Sequence, residues 1–239
     1  EPPSNLANMG VYLFRREVLD KALWEDRQRK GSSHDFGKDI LPRLIKSKTR
    51  VFAYPYSGYW MDVGTLASYW QAHMDLLAPS PHLKLYNRSW IIHTRTAERP
   101  PARFPAKGKV YASMICDGCF IEEGATVESS VLSPGVIVRS GAVVRESIVL
   151  TDAEIRSGAV VERSVLDKQA RVEEHARVGW GVTDQNIRIA LVGKGSVVPS
   201  GYVVEPEAEI GTDVIQSDYP DPTIRAGQVI QTKRQPNEI

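Results

Sequence analysis

The chain has 239 residues, with 30 Lys and Arg against 29 Asp and Glu and a formal net charge of +1. That balance lacks the basic face or stripe of a general nucleic-acid binder, and no apolar run approaches the ~20 residues that cross a bilayer as a helix. With no secretory leader pattern at its start, the chain is expected to be cytoplasmic, with room for one large or two modest domains.

In chain order, Glu1-Pro2-Pro3-Ser4 leads almost at once into Met9-Gly10-Val11-Tyr12-Leu13-Phe14, whose last four residues read as a strand. A strand with nothing before it to pair with suggests a piece of a longer polypeptide. Val18, Leu19, Ala22 and Leu23 then recur at helical spacing among Arg16, Glu17, Asp20 and Lys21. Ser32-Ser33-His34-Asp35 is rich in helix-capping side chains. It precedes an apolar face at Ile40, Leu41, Leu44 and Ile45, with Pro42 tolerable only in an early turn. Residues 51–56 are a short strand candidate. Gly58-Tyr59-Trp60-Met61-Asp62-Val63-Gly64-Thr65 reads as strand, turn and Thr N-cap for a helix carrying Leu66, Tyr69, Trp70, His73, Leu76 and Leu77. Alternating strands and helices over residues 1–80 point to the end of an α/β domain. A proline-marked linker follows over 81–103.

From 104 to 239 the pattern changes. Gly124-Ala125-Thr126-Val127, Gly141-Ala142-Val143-Val144 and Gly158-Ala159-Val160-Val161 begin 17 residues apart, and His175-Ala176-Arg177-Val178 continues the series without its glycine. Ser130-Val131, Ser147-Ile148 and Ser164-Val165 keep the same spacing. Ile121, Val127, Leu132, Val138, Val144, Val149, Ile155, Val161, Leu166, Val172 and Val178 fall at intervals of six, five and six. Phe104, Val110 and Ile115 extend the series backward, and Val192, Val198, Val204 and Ile210 resume it. Neither an amphipathic helix nor a hairpin has these intervals. A coil that turns a corner about every six residues does, and stacked coils share one core. The expected fold is therefore the remnant of an α/β domain followed by a hexapeptide-repeat, left-handed parallel β-helix. Residues 179–191 interrupt the series and read as an excursion between coils. Cys116 and Cys119 form a C-x-x-C pair inside the repeat; without a second pair or paired histidines, they read as reduced structural thiols rather than a zinc or redox site.

Three segments carry a resemblance. Asn8-Met9-Gly10-Val11-Tyr12-Leu13-Phe14, Ser32-Ser33-His34-Asp35-Phe36-Gly37-Lys38-Asp39 and Tyr59-Trp60-Met61-Asp62-Val63-Gly64-Thr65, followed by the repeat, resemble the glucose-1-phosphate adenylyltransferase (ADP-glucose pyrophosphorylase) family of nucleotidyltransferases. The resemblance implies formation of ADP-glucose and pyrophosphate from ATP and glucose 1-phosphate, for glycogen- or starch-type glucan synthesis. It implies Asp62 as a catalytic, metal-binding carboxylate for Mg²⁺. It also implies Asn8, Tyr12, Asp35, Phe36 and Trp60 as glucose 1-phosphate contacts, with Asn8 standing where many members have serine. Residues 1–80 would be the C-terminal part of the family's Rossmann-like catalytic domain, and 104–239 an assembly and regulatory domain of a homotetramer under allosteric control by phosphorylated metabolites. The resemblance also implies Arg163 and Lys168 as regulatory residues. The family's Gly-rich nucleotide loop and its Glu-Lys-Pro lysine do not occur in the 239 residues, so the chain alone is expected to be inactive. Alternatives are a noncatalytic regulatory subunit of the same enzyme and a related sugar-phosphate nucleotidyltransferase using another nucleoside triphosphate. A third is a hexapeptide acyltransferase with His175 as its catalytic base.

Overall fold

In the computed structural model, which describes residues 4–94, 97–105, 109–180 and 187–235, the 17-residue period becomes a coil with three short faces. The faces stack into three parallel sheets of seven, seven and five strands, each strand only two or three residues long. Register follows the repeat directly: Val127 pairs with Val144, Val144 with Val161 and Val161 with Val178. These side chains, and those of Leu132, Val138, Val149, Ile155, Leu166 and Val172, are fully buried. Burial of each such aliphatic side chain stabilises the stack by roughly 1.5–3 kcal/mol. One coil alone has too little interior to achieve this.

A second inward position lies two residues before each of these and was not read from the sequence. On one face it is Ala125, Ala142, Ala159 and Ala176; on another it is Cys119, Val136, Ala153 and Ala170. Cys119 is thus a core residue, consistent with the structural reading of the thiol pair, and burial raises its pKa. On the third face the position is Ser130, Ser147 and Ser164, all fully buried. Each hydroxyl donates to the carbonyl two residues back, at 2.6–2.7 Å. Each of the first two also accepts the backbone N–H of the next serine, at 3.1 Å for Ser130 and 3.2 Å for Ser147. The polar column is satisfied internally, which burial requires.

Corners need left-handed backbone. Ser129, Glu146 and Arg163 occupy one column of corners at φ of 47°, 45° and 40°. His175 takes the corner held by Gly141 and Gly158 in earlier coils, at φ 58°, and its exposed ring lies close over Gly158. That is a corner residue's surrounding, not a catalytic pocket. The longest coil confirms the excursion: Val149 pairs with Leu166, 17 positions on, whereas Leu166 pairs with Val192, 26 positions on. The nine extra residues fall between Val178 and Ala190, and residues 181–186 of the expected excursion lie outside the described residues. The backward extension to Phe104 holds in register, with Val110 opposite Val127 and Ile115 opposite Leu132, but not in full burial. Phe104 is 49% exposed and Val110 and Ile115 only half-buried, because a terminal coil is covered by a neighbour on one side only.

The chain divides into two compact units, 1–62 and 63–239. The second includes a helix, α3 (Leu66–Leu76), closed at its start by a reciprocal Thr65–Ser68 capping pair. Its Trp70 packs with Ile148, Val165 and Ile189 on the outer side of the serine-bearing face, and Trp70 Nε1 donates to the Glu146 carbonyl at 2.6 Å.

The first unit contains α1 (Arg16–Arg27), as its apolar spacing predicts, and α2 (Leu41–Lys46). A single wide turn, Phe36–Ile40, joins α2 at its start, with Ile40 N–H bonded five residues back to Asp35. Pro42, in the first turn of α2, has no N–H to give and its ring would crowd the Lys38 carbonyl of a regular helix. The strands expected over 11–14 and 51–56 do not form a ladder. A lone extended segment gains nothing without a partner edge, and none is present among the described residues of this unit. The alternation survives: Val11 and Leu13 are exposed, while Tyr12 and Phe14 are half-buried.

Candidate functional site

The expected sugar contacts all fall in the first unit. Tyr12 stacks on Phe36 with ring centroids 5.4 Å apart. Phe14, which the sequence reading passed over, lies 5.9 Å from Phe36 and 6.4 Å from Tyr12. Its signal was present as the second inward residue of the alternation at 11–14. Asn8 joins this cluster, donating from Nδ2 to the Tyr12 hydroxyl at 2.9 Å while its Oδ1 accepts Gly10 N–H. Asn8, Tyr12 and Phe36 are therefore brought together as an aromatic surface with a polar rim, a combination suited to packing on a sugar ring.

Asp35 immediately precedes Phe36. One carboxylate oxygen accepts Lys38 N–H at 2.7 Å and so caps the wide turn; the other has no hydrogen bond to a described residue. Trp60 is 41% exposed and Asp62 is exposed. Neither makes a ring or polar contact with the aromatic cluster among the described residues. No group of three or more His, Cys, Asp and Glu able to hold a metal occurs among them either. Asp62 fits Mg²⁺ in the one way open to it, as a single exposed oxygen ligand: that ion takes one or two protein carboxylates and fills its shell with phosphates and water.

The Ser32–Asp39 segment is tied down by two carboxylates. Asp26, on the last turn of α1 and 3% exposed, accepts from Ser32 Oγ at 2.9 and 3.0 Å, pairs with His34 Nδ1 at 2.8 Å and with Arg43 Nη2 of α2 at 2.9 Å. Asp39 accepts from Ser33 Oγ at 2.5 Å and from the N–H groups of Ser33 and Asp35, both at 3.2 Å. The His34 bond to Asp26 and the Ser33 bond to Asp39 hold both acids below the ordinary carboxylate pKa.

On the solenoid, Arg163 and Lys168 bracket the strand Ser164–Leu166 and so sit at different corners of one coil. Arg163 Nε pairs with Glu146 at 2.6 Å. It lines a depression of about 220 Å³ with Glu128, Arg145, Glu146 and Glu162. Three carboxylates for two guanidinium groups make this a poor match to a phosphate. Lys168 is exposed, with its backbone N–H on the Asp167 carboxylate.

Comparison with known proteins agrees with both halves of this picture. A nucleotidyl transferase family model matches residues 1–78 and a GlmU-like C-terminal hexapeptide model matches residues 100–198. The glucose-1-phosphate adenylyltransferase of Thermomicrobium roseum is 45% identical over 238 residues, 96% of this chain and 55% of its own length. Those of Geobacillus stearothermophilus and Bacillus subtilis are 46% identical over 130 residues and 45% over 120, covering 54% and 50% of this chain but 33% and 32% of their own lengths. The chain thus spans about half the length of the first of these relatives and about a third of the other two. The resemblance carried by the three motifs and the repeat is borne out along nearly the whole chain.

Proposed function

We propose that this chain is the C-terminal portion of a glucose-1-phosphate adenylyltransferase, forming ADP-glucose and pyrophosphate from ATP and glucose 1-phosphate for glucan synthesis. One observation carries the reading: a single alignment at 45% identity runs through both compact units without changing partner. Residues 1–80 then represent the end of the catalytic domain, 81–103 a linker and 104–239 a domain for assembly into a homotetramer.

In this reading the chain's own residues bind and orient the sugar phosphate. Tyr12 and Phe36, together with Phe14, supply an apolar surface that excludes water from one side of the sugar. Asn8 and Asp35 offer polar groups to its hydroxyls, and Trp60 a further aromatic face. Held in place, the phosphate oxygen needs less reorganisation to attack the α-phosphorus of the nucleotide in line. Asp62 would hold Mg²⁺, which when bound offsets the charge gathered on the phosphates. Both substrates and a cytoplasmic setting belong to the same reading. So do phosphorylated effectors, for which exposed Lys168 is better suited than Arg163, whose guanidinium is already paired with Glu146.

The test is an assay with ATP, Mg²⁺ and glucose 1-phosphate. The 239-residue chain alone should show no turnover, and the complete polypeptide that contains it should release pyrophosphate and ADP-glucose. Turnover by the chain alone would overturn the division of labour. A complete polypeptide that uses UTP, GTP or dTTP in preference would overturn the nucleotide assignment.

A further inference from the structure

The S-S-H-D-F-G-K-D loop is held by a residue that no motif contains. Asp26 sits in the last turn of α1, where the helix dipole disfavours an anion, and it is almost completely buried. Burying a carboxylate is costly unless it is paired and hydrogen-bonded, so its presence there calls for a compensating arrangement. That arrangement is fully built: Ser32 Oγ, His34 Nδ1 and Arg43 Nη2 converge on its two oxygens. Two of those donors lie in the loop, one on each side of Ser33, and the third lies on α2, which follows Phe36 in the chain. His34 takes left-handed backbone, φ 57°, a conformation uncommon for a residue with a side chain. Its backbone N–H is fixed on Ser32 Oγ at 3.1 Å, so the same serine that binds Asp26 also sets the turn. Immediately beyond come Asp35 and Phe36, the latter stacked on Tyr12.

We infer that Asp26 is a positioning residue of the sugar-phosphate pocket: through Ser32, His34 and Arg43 it fixes the loop that presents Asp35 and Phe36 beside Tyr12. It touches no substrate itself. The inference rests on the function proposed above, and Asp39 acts beside it by holding the N–H groups of Ser33 and Asp35.

The test compares Asp26→Asn and His34→Gln with the parent in the complete polypeptide, alongside amide exchange across residues 32–36. Asp26→Asn keeps the shape, removes the negative charge paired with Arg43 and turns one of the two acceptor oxygens into an NH₂ donor. It should raise the KM for glucose 1-phosphate about tenfold while leaving the KM for ATP within about twofold, and it should accelerate exchange in the loop. His34→Gln, which cuts one tie of three, should move both in the same direction by less. Faster exchange with an unchanged sugar-phosphate KM would reduce Asp26 to a scaffold residue and overturn the inference, as would unchanged exchange. If the complete polypeptide forms no ADP-glucose, the function reading fails by itself. Exchange in the 239-residue chain then decides whether Asp26 holds the loop.

Discussion

The two compact units solve the same problem by opposite means. In the solenoid, one rule is applied again and again: two inward residues per face, a left-handed corner, then the next face. Order at any inner coil is backed by matching order in the coil on either side. In the first unit nothing repeats. Its Ser32–Asp39 loop keeps its shape through particular side chains, above all the Asp26 and Asp39 carboxylates, and each tie exists once. A repetitive region distributes its stability, whereas a binding loop concentrates its geometry in a few polar bonds. The first is robust and chemically bland; the second is specific and exposed to single changes.

That contrast can be broken at its strongest point first. Leu166→Ala removes a fully buried side chain from the middle of the stack and should destabilise the solenoid by about 2–5 kcal/mol, measured by denaturant unfolding. If the loss is near zero, the core is not shared between coils as described. Ser147→Ala asks a finer question. It removes the acceptor of Ser164 N–H and a donor to the Arg145 carbonyl, and a buried N–H left unpaired costs about 1–3 kcal/mol. A neutral result would mean that the serine column only fills space.

The smallest effect belongs to acid. Asp26 and Asp39 have depressed pKa values in the folded chain, so their contribution is complete above the unfolded aspartate value of about 3.9. It fades as the pH falls through their lower folded values. Below pH ~4 the 32–39 loop should loosen, seen as faster amide exchange there, while exchange in the aliphatic columns of the solenoid stays slow. Simultaneous loss of both regions would show that the units are not distinguished in this way.

Most of the solenoid could be read from the sequence because its long-range contacts lie at one constant separation and leave a local trace. Val127, Val144 and Val161 announce their own stacking. The second inward column was harder, since Ala125 or Ser147 looks like an ordinary small or polar residue until the coil's pitch is known. In the first unit the helices at 16–27 and 41–46 carried their own period, and Asp35 its capping role. The Asp26 ties span 6, 8 and 17 residues with no periodicity, so no pattern marks them. The strand expectation at 11–14 was wrong about the ladder, because pairing depends on an edge the sequence pattern does not supply. Trp70 was read as one residue of a helical face. That it reaches the Glu146 carbonyl, 76 residues on, follows only from the folded coil.

The nine-residue excursion between Val178 and Ala190 has a practical consequence. The coils on either side keep their alignment: Val172 still meets Val198 and Val178 still meets Val204. Extra chain at a corner therefore leaves the hydrogen-bond register untouched, and doubling such a loop costs only about 0.6 kcal/mol in closure entropy. The corner after Val178 is a ready splice port, where a reporter peptide or a whole guest domain can be grafted without disturbing the scaffold that carries it.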